Sequence, residues 1–348
     1  MRAGGRRECD KIDNYHGGND VTTPTMSRLL LLSVLIWWYL ACSTCAVETY
    51  RNARTRFKDT VFVVKYNYRA IPELVLNHIH LWKKVFTTQM IFMPWTNDEV
   101  ARFQSQNISS RSNITIISHT RDVQAPGYFA YEAAVTAMEK YPHVTGYLYA
   151  HDDMAMNVSR LMQLDSKHFW FSKYIKEDSC RDLDKNWTSR HNGWWWDGQY
   201  GSAAIDNLLG NRTDIADEIS RCFNSVHHWC GEQADFFHVP QHYRNSFMRI
   251  LSAFGKYNIF VEIAVPTYYR CYVKPAHLQP LRLCTSFSQK ARNNISHMER
   301  FCSAGYPLFH PVKLSMPANF LGMKRKMDLI ADPSDRMRDK IDHRVNRM

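Results

Sequence analysis

Several catalytic signatures are absent from this chain of 348 residues. It has no Gly-X-Ser-X-Gly nucleophile elbow, no phosphate-binding Walker loop, no Gly-X-Gly-X-X-Gly turn and no His-Glu-X-X-His zinc motif. The sequence therefore gives no support to hydrolysis by a serine triad, to hydrolysis of nucleoside triphosphates or to zinc proteolysis.

Nucleic-acid signatures are also missing, although the chain is basic. Its formal net charge is +11 and its pI about 9.2, with a local cluster at Lys324-Arg325-Lys326. Such a balance suits nucleic acid, anionic lipid or a phosphate-bearing substrate. Because the chain has no zinc finger, RNP-like motif, basic-aromatic repeat or other internal repeat, we do not expect a nucleic-acid partner.

A long uncharged apolar run extends from Leu29 to Ala46 and contains 18 residues, just enough to span a bilayer. Arg28 before it and Glu48 after it favour a signal anchor with a cytosolic N-terminus and a luminal body. If Met26 is the true start, the same run is typical of a cleaved signal peptide, and the protein is secreted. Either alternative places Val47 onward in the secretory pathway.

Two counts agree with that compartment. Six Asn-X-Ser/Thr sequons follow the apolar run, and six of the nine cysteines lie after residue 153, an even number compatible with three disulfides. No Cys-X-X-Cys pair occurs among those six cysteines, so we do not expect a zinc site there. The sequons begin at Asn107, Asn113, Asn157, Asn186, Asn211 and Asn294, and the six cysteines are Cys180, Cys222, Cys230, Cys271, Cys284 and Cys302.

The first half of the body alternates strand-like and helix-like segments. Short apolar runs predict strands, and two amphipathic or Ala-rich stretches predict helices at 72–86 and 127–141. This alternation indicates an α/β fold with a mostly parallel, Rossmann-type sheet flanked by helices. The predicted strands are 60–66, 89–94, 114–119 and 147–150.

After about Cys180 the pattern is looser and carries the cysteines. We expect an aromatic loop over 186–200, a short helix over 214–222, a strand over 233–240 and a helix over 247–254. The last stretch, from about 325, is charged and peripheral.

Two adjacent carboxylates follow the fourth predicted strand, in the sequence GYLYAHDDMAMN from Gly146 to Asn157. Ligands of parallel sheets bind beyond the carboxyl ends of the strands, so Asp152 and Asp153 are expected at the mouth of a site. They are suited to bind Mn²⁺ or Mg²⁺. The alternative is a turn or a helix cap, since Asp also caps helices.

In this context the sequence resembles the GT-A-type Golgi glycosyltransferases. An N-terminal apolar segment, an initial β-α-β unit, a helix before the key strand and an acidic motif at that strand's end carry the resemblance, with YLYAHDDM in the motif's place. Within that group the chain looks nearest to the STELLO-like proteins. His151 occupies the position where the family motif usually has its first acidic residue, and this departure puts metal use in doubt.

The resemblance implies a ligand set for a nucleotide-sugar donor and its divalent cation. Asp153 and His310, the latter in YPLFHPVKLS, would hold the metal. Asp152 would lie near the nucleotide sugar, and Lys313 would hold a phosphate oxygen as a point charge. The loop after the first strand would bring two further residues, Tyr66 and Arg69, to the nucleotide.

Two carboxylates in the second half are candidates for the catalytic base. Glu262 lies in the apolar run IFVEIAVP, where burial would raise its pKa towards a useful range, and Asp235 competes for the same role. Each has an alternative reading as a structural ion-pair residue. The Trp194-Trp195-Trp196 triplet either folds back and packs against the hydrophobic interior or stacks against an acceptor sugar.

The sequence thus predicts a single-pass, type II Golgi enzyme that moves a sugar from a nucleotide-diphosphate sugar to a glycan or glycoprotein acceptor. Three rivals remain: a non-catalytic partner of the same fold, a secreted carbohydrate-binding protein and a metal-dependent phosphoesterase. The expected segments are a tail (1–27), an anchor or signal peptide (28–46), a stem (47–58), the catalytic domain (59–322) and a charged tail (323–348).

Overall fold

The computed structural model describes residues 52–67, 69–108, 112–119, 129–171, 180–182, 199–211, 214–225, 227–285, 302 and 306–312. Its helices there are α1 (Pro72–Lys83), α2 (Asn97–Asn107), α3 (Tyr131–Lys140), α4 (Val158–Leu161), α5 (Gln199–Gly210), α6 (Asp214–Phe223), α7 (Arg244–Lys256) and α8 (Val261–Tyr272). Its strands are β1 (Thr60–Lys65), β2 (Thr88–Met93), β3 (Ile114–Ser118), β4 (Gly146–His151), β5 (Ala155–Met156), β6 (Phe169–Phe171), β7 (Cys180–Asp182), β8 (His228–Cys230), β9 (Phe236–Pro240), β10 (Leu278–Pro280), β11 (Leu283–Thr285) and β12 (Leu308–His310).

A seven-stranded sheet forms the centre, in the order β10-β6-β9-β4-β1-β2-β3. Strands β4, β1, β2 and β3 run parallel, and β9 lies antiparallel between β4 and β6. All six residues of β1 and of β4 are buried, as expected for parallel strands that are covered on both faces. The α/β class and the mostly parallel sheet flanked by helices are confirmed.

Helices cover the sheet on both sides and divide the core in two. Helices α1 and α2 pack on the face that carries Phe62, Val64 and Leu148. Helices α3, α7 and α8 pack on the other face, against residues such as Val63 and Tyr149. The alternation of side chains along β1 and β4 therefore assigns each residue at their carboxyl ends to one face or the other.

The four predicted strands of the first half are confirmed within two residues at each end, and helix α1 begins at Pro72 as predicted. Helix α2 was missed, since it is mostly polar and only Val100 and Phe103 of it are buried, and the short helix α4 was not predicted either. The signal for α2 was the capping box, in which Thr96 and Glu99 bond reciprocally to each other's backbone N–H groups.

The second half is more helical than the sequence pattern suggested. The predicted helices at 214–222 and 247–254 lie within α6 and α7, and the predicted strand at 233–240 contains β9. The loop prediction for 186–200 was wrong at its end, because α5 already begins at Gln199. Residues 186–198, which include the Trp triplet, lie outside the described part.

Three disulfides cross-link this half, in agreement with the cysteine count. Cys180–Cys230 joins β7 to β8, Cys222–Cys271 joins α6 to α8, and Cys284–Cys302 closes a short loop beside β11. A closed loop lowers the conformational entropy of the unfolded chain, so each link stabilises the folded state.

Among the described residues, no helix has the length and apolar character needed to cross a membrane. The apolar segment from Leu29 to Ala46 and the charged tail after residue 322 lie outside the described residues.

Candidate functional site

The Asp pair lies at the carboxyl edge of the central sheet. Asp152 donates its backbone N–H to the carbonyl of Lys65, the last residue of β1, at 3.0 Å. The N–H of Met154 returns to the carbonyl of His151 at 3.1 Å, which closes a tight turn before β5. This hydrogen bonding fixes the backbone of both carboxylates beyond the end of β4, where the sequence predicted them.

A second, small sheet brings His310 to the same edge. Its order is β11-β12-β5, and β12 pairs antiparallel with β5, so that Leu308 lies opposite Met156. The N–H of Val312 donates to the carbonyl of Asp153 at 2.7 Å. Strand β5 follows the Asp pair directly, so this pairing places the end of β12 beside Asp153.

Asp235 reaches the site from a third direction. It immediately precedes β9, and because β9 runs antiparallel to β4, the start of β9 lies at the carboxyl end of β4. The N–H of His151 donates to the carbonyl of Asp235 at 3.0 Å, and His151 Nδ1 lies 2.9 Å from Asp235 Oδ1. His151 is thus an ion-pair partner of Asp235, and both side chains are buried.

His310 stands between two carboxylates. Its Nε2 lies 3.4 Å from Asp153 Oδ1 and 3.6 Å from Asp235 Oδ2. Its Nδ1 lies 2.6 Å from the side-chain nitrogen of Gln233, which orients the imidazole ring. We call Asp152, Asp153, Asp235, His151 and His310 the carboxylate–histidine cluster.

Pairing between the histidines and two of the three carboxylates balances part of the charge in the cluster. Burial raises the pKa of Asp235, but the positive charges of His310 and His151 outweigh burial and lower it below its ordinary value. Burial lowers the pKa of His151, but the nearby Asp235 outweighs it and raises the pKa overall. This pairing therefore favours the carboxylate form of Asp235 and the protonated form of His151.

Glu262 differs from Asp235, because its pKa is raised rather than lowered. It lies in the first turn of α8, near Asp235, His151 and His310, and its backbone carbonyl accepts the N–H of Glu232 at 2.9 Å. Burial and the negative charge of Asp235 raise the pKa of Glu262 to about 7. A carboxyl group with that pKa exchanges a proton near neutral pH.

Asp152 and Tyr66 face the α1 side of the sheet. Asp152 is fully buried, and its Oδ1 accepts the backbone N–H of Asn67 at 3.3 Å. The hydroxyl of Tyr66 bonds to Nδ1 of His78 on α1 at 2.5 Å, and burial together with Asp152 raises its pKa well above its ordinary value. This hydroxyl already has a protein partner, and a nucleotide contact through Tyr66 stays a prediction.

A cavity of about 330 Å³ lies between the segments that follow β1 and β2 and the helix α2, and no residue of the cluster lines it. Arg69 lines it and forms an ion pair with Glu99, and Arg102 adds a second positive charge. Trp95 and Phe103 give it an apolar wall. The cavity combines cationic and aromatic groups, which suits an anionic ligand with a flat ring.

The predicted site residues therefore fall into three groups. Asp152, Asp153, Asp235, Glu262 and His310 converge at one edge of the sheet, whereas Arg69 lines the cavity between the β1 loop and α2. Lys313 lies outside the described residues, immediately after the last described segment of the chain.

Two polar residues of this edge were not predicted. Gln233 orients His310, and Asn67 donates its backbone N–H to Asp152, while its side-chain nitrogen lies 3.1 Å from Nδ1 of His151. Their positions in the sequence could have indicated them, because each of the two lies next to the end of an apolar run that forms a central strand.

The donor atoms suit a divalent cation held with the help of a substrate. Ligands that share an ion at about 2.1 Å lie roughly 3.0 to 3.4 Å apart, close to the separations of His310 Nε2 from the two carboxylates. Within the described residues, no three His, Cys, Asp or Glu side chains form a ready-made metal group. One or two carboxylates plus substrate phosphates are an ordinary ligand set for Mg²⁺.

Comparison with known proteins adds no family. No protein-family model matches this chain, and no curated protein matches it. The function is therefore argued from the geometry and the chemistry of this site.

Proposed function

We propose that this protein is a glycosyltransferase of the GT-A type that moves a sugar from a nucleotide-diphosphate sugar to a glycan or glycoprotein acceptor. The observation that carries the proposal is the convergence of Asp153, Asp235 and His310 at the carboxyl edge of a parallel sheet. These residues are 82 and 157 positions apart in the chain when counted from Asp153. A buried cluster of this composition is costly unless a cation or a ligand balances it.

In this proposal Asp153 and His310 hold Mn²⁺ or Mg²⁺. The ion would neutralise charge on the diphosphate as it leaves the sugar. Gln233 keeps the imidazole of His310 turned towards the carboxylates, since a metal-bound histidine needs its second ring nitrogen fixed. Asp235, whose ionised form is favoured by His151, adds a further negative charge to the site.

Glu262 is the better candidate for the base that accepts the proton of the acceptor hydroxyl. Its pKa of about 7 leaves it ready to take up a proton at neutral pH, whereas Asp235 is held ionised by ion pairs and is a weaker base. We therefore assign Asp235 to the binding of charge and Glu262 to proton transfer.

The nucleotide would lie over the loop that follows β1. Asp152 is joined to this loop through Asn67, and Arg69 two residues later lines the cavity with Trp95. An aromatic wall and a cation suit a base and a phosphate respectively. Lys313, next to Val312, would supply a second positive charge.

The rival function is binding without catalysis, and one observation favours it. His151 stands where the resembled motif has an acidic residue, and it is committed to Asp235 at 2.9 Å. A descendant that has lost metal-dependent turnover would retain the fold and the cavity. It would bind a nucleotide sugar or a partner enzyme without transferring the sugar.

Titration calorimetry with UDP- and GDP-sugars, with and without Mn²⁺, tests the proposal. We expect Mn²⁺-dependent binding that weakens at least about 10-fold in Asp153→Asn. Asp206→Asn is the matched control, because Asp206 is exposed on α5. Metal-independent binding that Asp153→Asn leaves unchanged would refute the metal site.

A turnover assay separates the enzyme from its rival. If nucleoside diphosphate is released only in the presence of an acceptor, the protein is a transferase. If the wild-type protein binds the donor but never releases its diphosphate, the non-catalytic function is correct.

A further inference from the structure

The four described sequon asparagines differ in what their side chains do. Asn107 and Asn211 end or follow helices and donate their amide nitrogens to the carbonyls of Phe103 and Asn207, at 3.1 and 2.7 Å. Each of these amides already caps a helix.

Asn157 forms two hydrogen bonds within the fold. Its side-chain oxygen caps α4 by accepting the N–H of Arg160 at 3.3 Å, and its own N–H donates to Pro307 at 2.8 Å. It is only partly exposed, and it follows the β5–β12 pairing that positions His310. A bulky group on this amide would have to fit beside the cap of α4.

The side chain of Asn113, unlike those of the other three described sequon asparagines, does not cap a helix. It is exposed, and its side chain makes no hydrogen bond within the part of the chain that the structure describes. Its backbone carbonyl accepts the N–H of Gln89 at 3.0 Å, which fixes the residue at the start of β3. The amide is thus anchored by its backbone and presented to solvent.

Strand β3 is the outermost strand at one end of the central sheet. Its side chains include Ile114, Ile116 and Ile117, and two of these isoleucines are only partly buried. The side-chain nitrogen of Gln104 donates to the carbonyl of Ile116 at 3.2 Å, so α2 provides a hydrogen-bond donor for one backbone carbonyl of β3. Among the described residues no strand pairs with this outer edge, and an apolar edge strand is a site for unwanted pairing between chains.

We propose that Asn113 carries an N-linked glycan, and that this glycan shields the open edge of β3. The sequon is Asn113-Ile114-Thr115. The amide nitrogen of Asn113 loses a proton and forms a bond to the anomeric carbon of an oligosaccharide, whose bond to a lipid diphosphate breaks. The lipid diphosphate is the leaving group, and no oxidant or reductant is needed. The inference rests on the luminal placement in the proposed function.

The position of Asn113 keeps the glycan away from the candidate site. It precedes the amino end of β3, whereas the carboxylate–histidine cluster lies beyond the carboxyl ends of the parallel strands. Five strand residues rising about 3.3 Å each separate the two edges along β3. A glycan at Asn113 therefore lies at the opposite edge of the sheet from the carboxylate–histidine cluster.

Peptide mapping of the full chain from secretory-competent eukaryotic cells tests this inference. Enzymatic deglycosylation converts a modified Asn to Asp, so the peptide that contains Asn113 should show this mass change. Asn113→Gln and Thr115→Ala should each lose the mobility shift of one glycan. Thr115→Ser is the matched control, because it keeps both the sequon and a hydroxyl that can contact Lys140 and Tyr141.

Each outcome has a distinct meaning. If Asn107 or Asn211 is modified and Asn113 is not, the inference fails while the luminal placement stands. If no sequon is modified, both fail, yet the calorimetric test of the sugar-nucleotide site is unaffected. If Asn113→Gln is as monodisperse as Thr115→Ser in size-exclusion chromatography, the glycan does not shield the edge.

Discussion

Replacing Glu262 with Gln should stabilise the protein at neutral and alkaline pH. The carboxyl has a pKa of about 7 in the folded protein, against an ordinary value of 4.5. The folded protein therefore binds more protons than the unfolded chain between these values, and stability is lost as pH rises from 4.5 through about 7. The amide of Gln remains neutral over this whole range.

The magnitude follows from the displacement of the pKa. At about 1.4 kcal/mol for each pKa unit, ionising Glu262 in the folded state costs up to about 3 kcal/mol. The residue is partly exposed, so solvent reduces this figure. We expect the stability advantage of Glu262→Gln over wild type to grow by about 2 kcal/mol between about pH 5 and about pH 8.

Urea unfolding of both proteins, followed by circular dichroism at the two pH values, measures this change. Glu139→Gln is the matched control, because Glu139 is an exposed residue of α3 and surface substitutions away from special features have small effects. An advantage that is the same at both pH values would refute the reasoning, because Glu262 would then ionise as easily in the folded as in the unfolded state. The same substitution should abolish sugar transfer if Glu262 is the base.

Three further predictions concern other parts of the fold. Gln233→Leu should weaken Mn²⁺ binding about 10- to 100-fold, whereas Gln233→Glu should retain it, because a His310 ring that binds metal through Nε2 carries its proton on Nδ1 and a carboxylate can accept it; equal affinities in calorimetry would contradict this. Gly146→Ala should destabilise the protein by about 1 to 3 kcal/mol, since its Cβ would lie 2.4 Å from His238 Nε2; an unchanged urea midpoint would show that the ring can move. Burial lowers the pKa of His238 to about 4, so stability from this group is lost as pH falls from 6.5 to 4. The stability advantage of wild type over His238→Gln should shrink by about 3 kcal/mol over that interval, and a constant difference in urea unfolding would contradict it.

The first half of the fold could be predicted because its signals are local. Strands β1 and β4 are continuous apolar runs, as buried parallel strands must be, and α1 begins at a proline. Helix α2 was missed because it buries only two of its residues, so its sequence lacks an apolar stripe. Helix α8 was left unassigned for the opposite reason: it is buried almost all round and contains Pro266, so its helical period is hidden.

The candidate site was predictable in part. The position of Asp153 follows from one rule, that polar residues after a parallel strand lie at its carboxyl edge. The approach of Asp235 depends on the antiparallel insertion of β9 between β4 and β6, which no local pattern encodes. The pairing of His151 with Asp235 likewise depends on that insertion, so the role of the histidine could not be inferred from its place in the motif.

The small sheet that joins β5 to β12 also has a consequence for biosynthesis. Strand β12 lies more than 150 residues after β5 in the chain, and His310 is its last residue. A nascent chain therefore has the complete central sheet before it has the strand that closes the site. Any product that ends before residue 306, through a premature stop, an alternative transcript or proteolysis, would lack β12 and His310. Such a fragment would keep most of the core, yet it would bind no metal through His310.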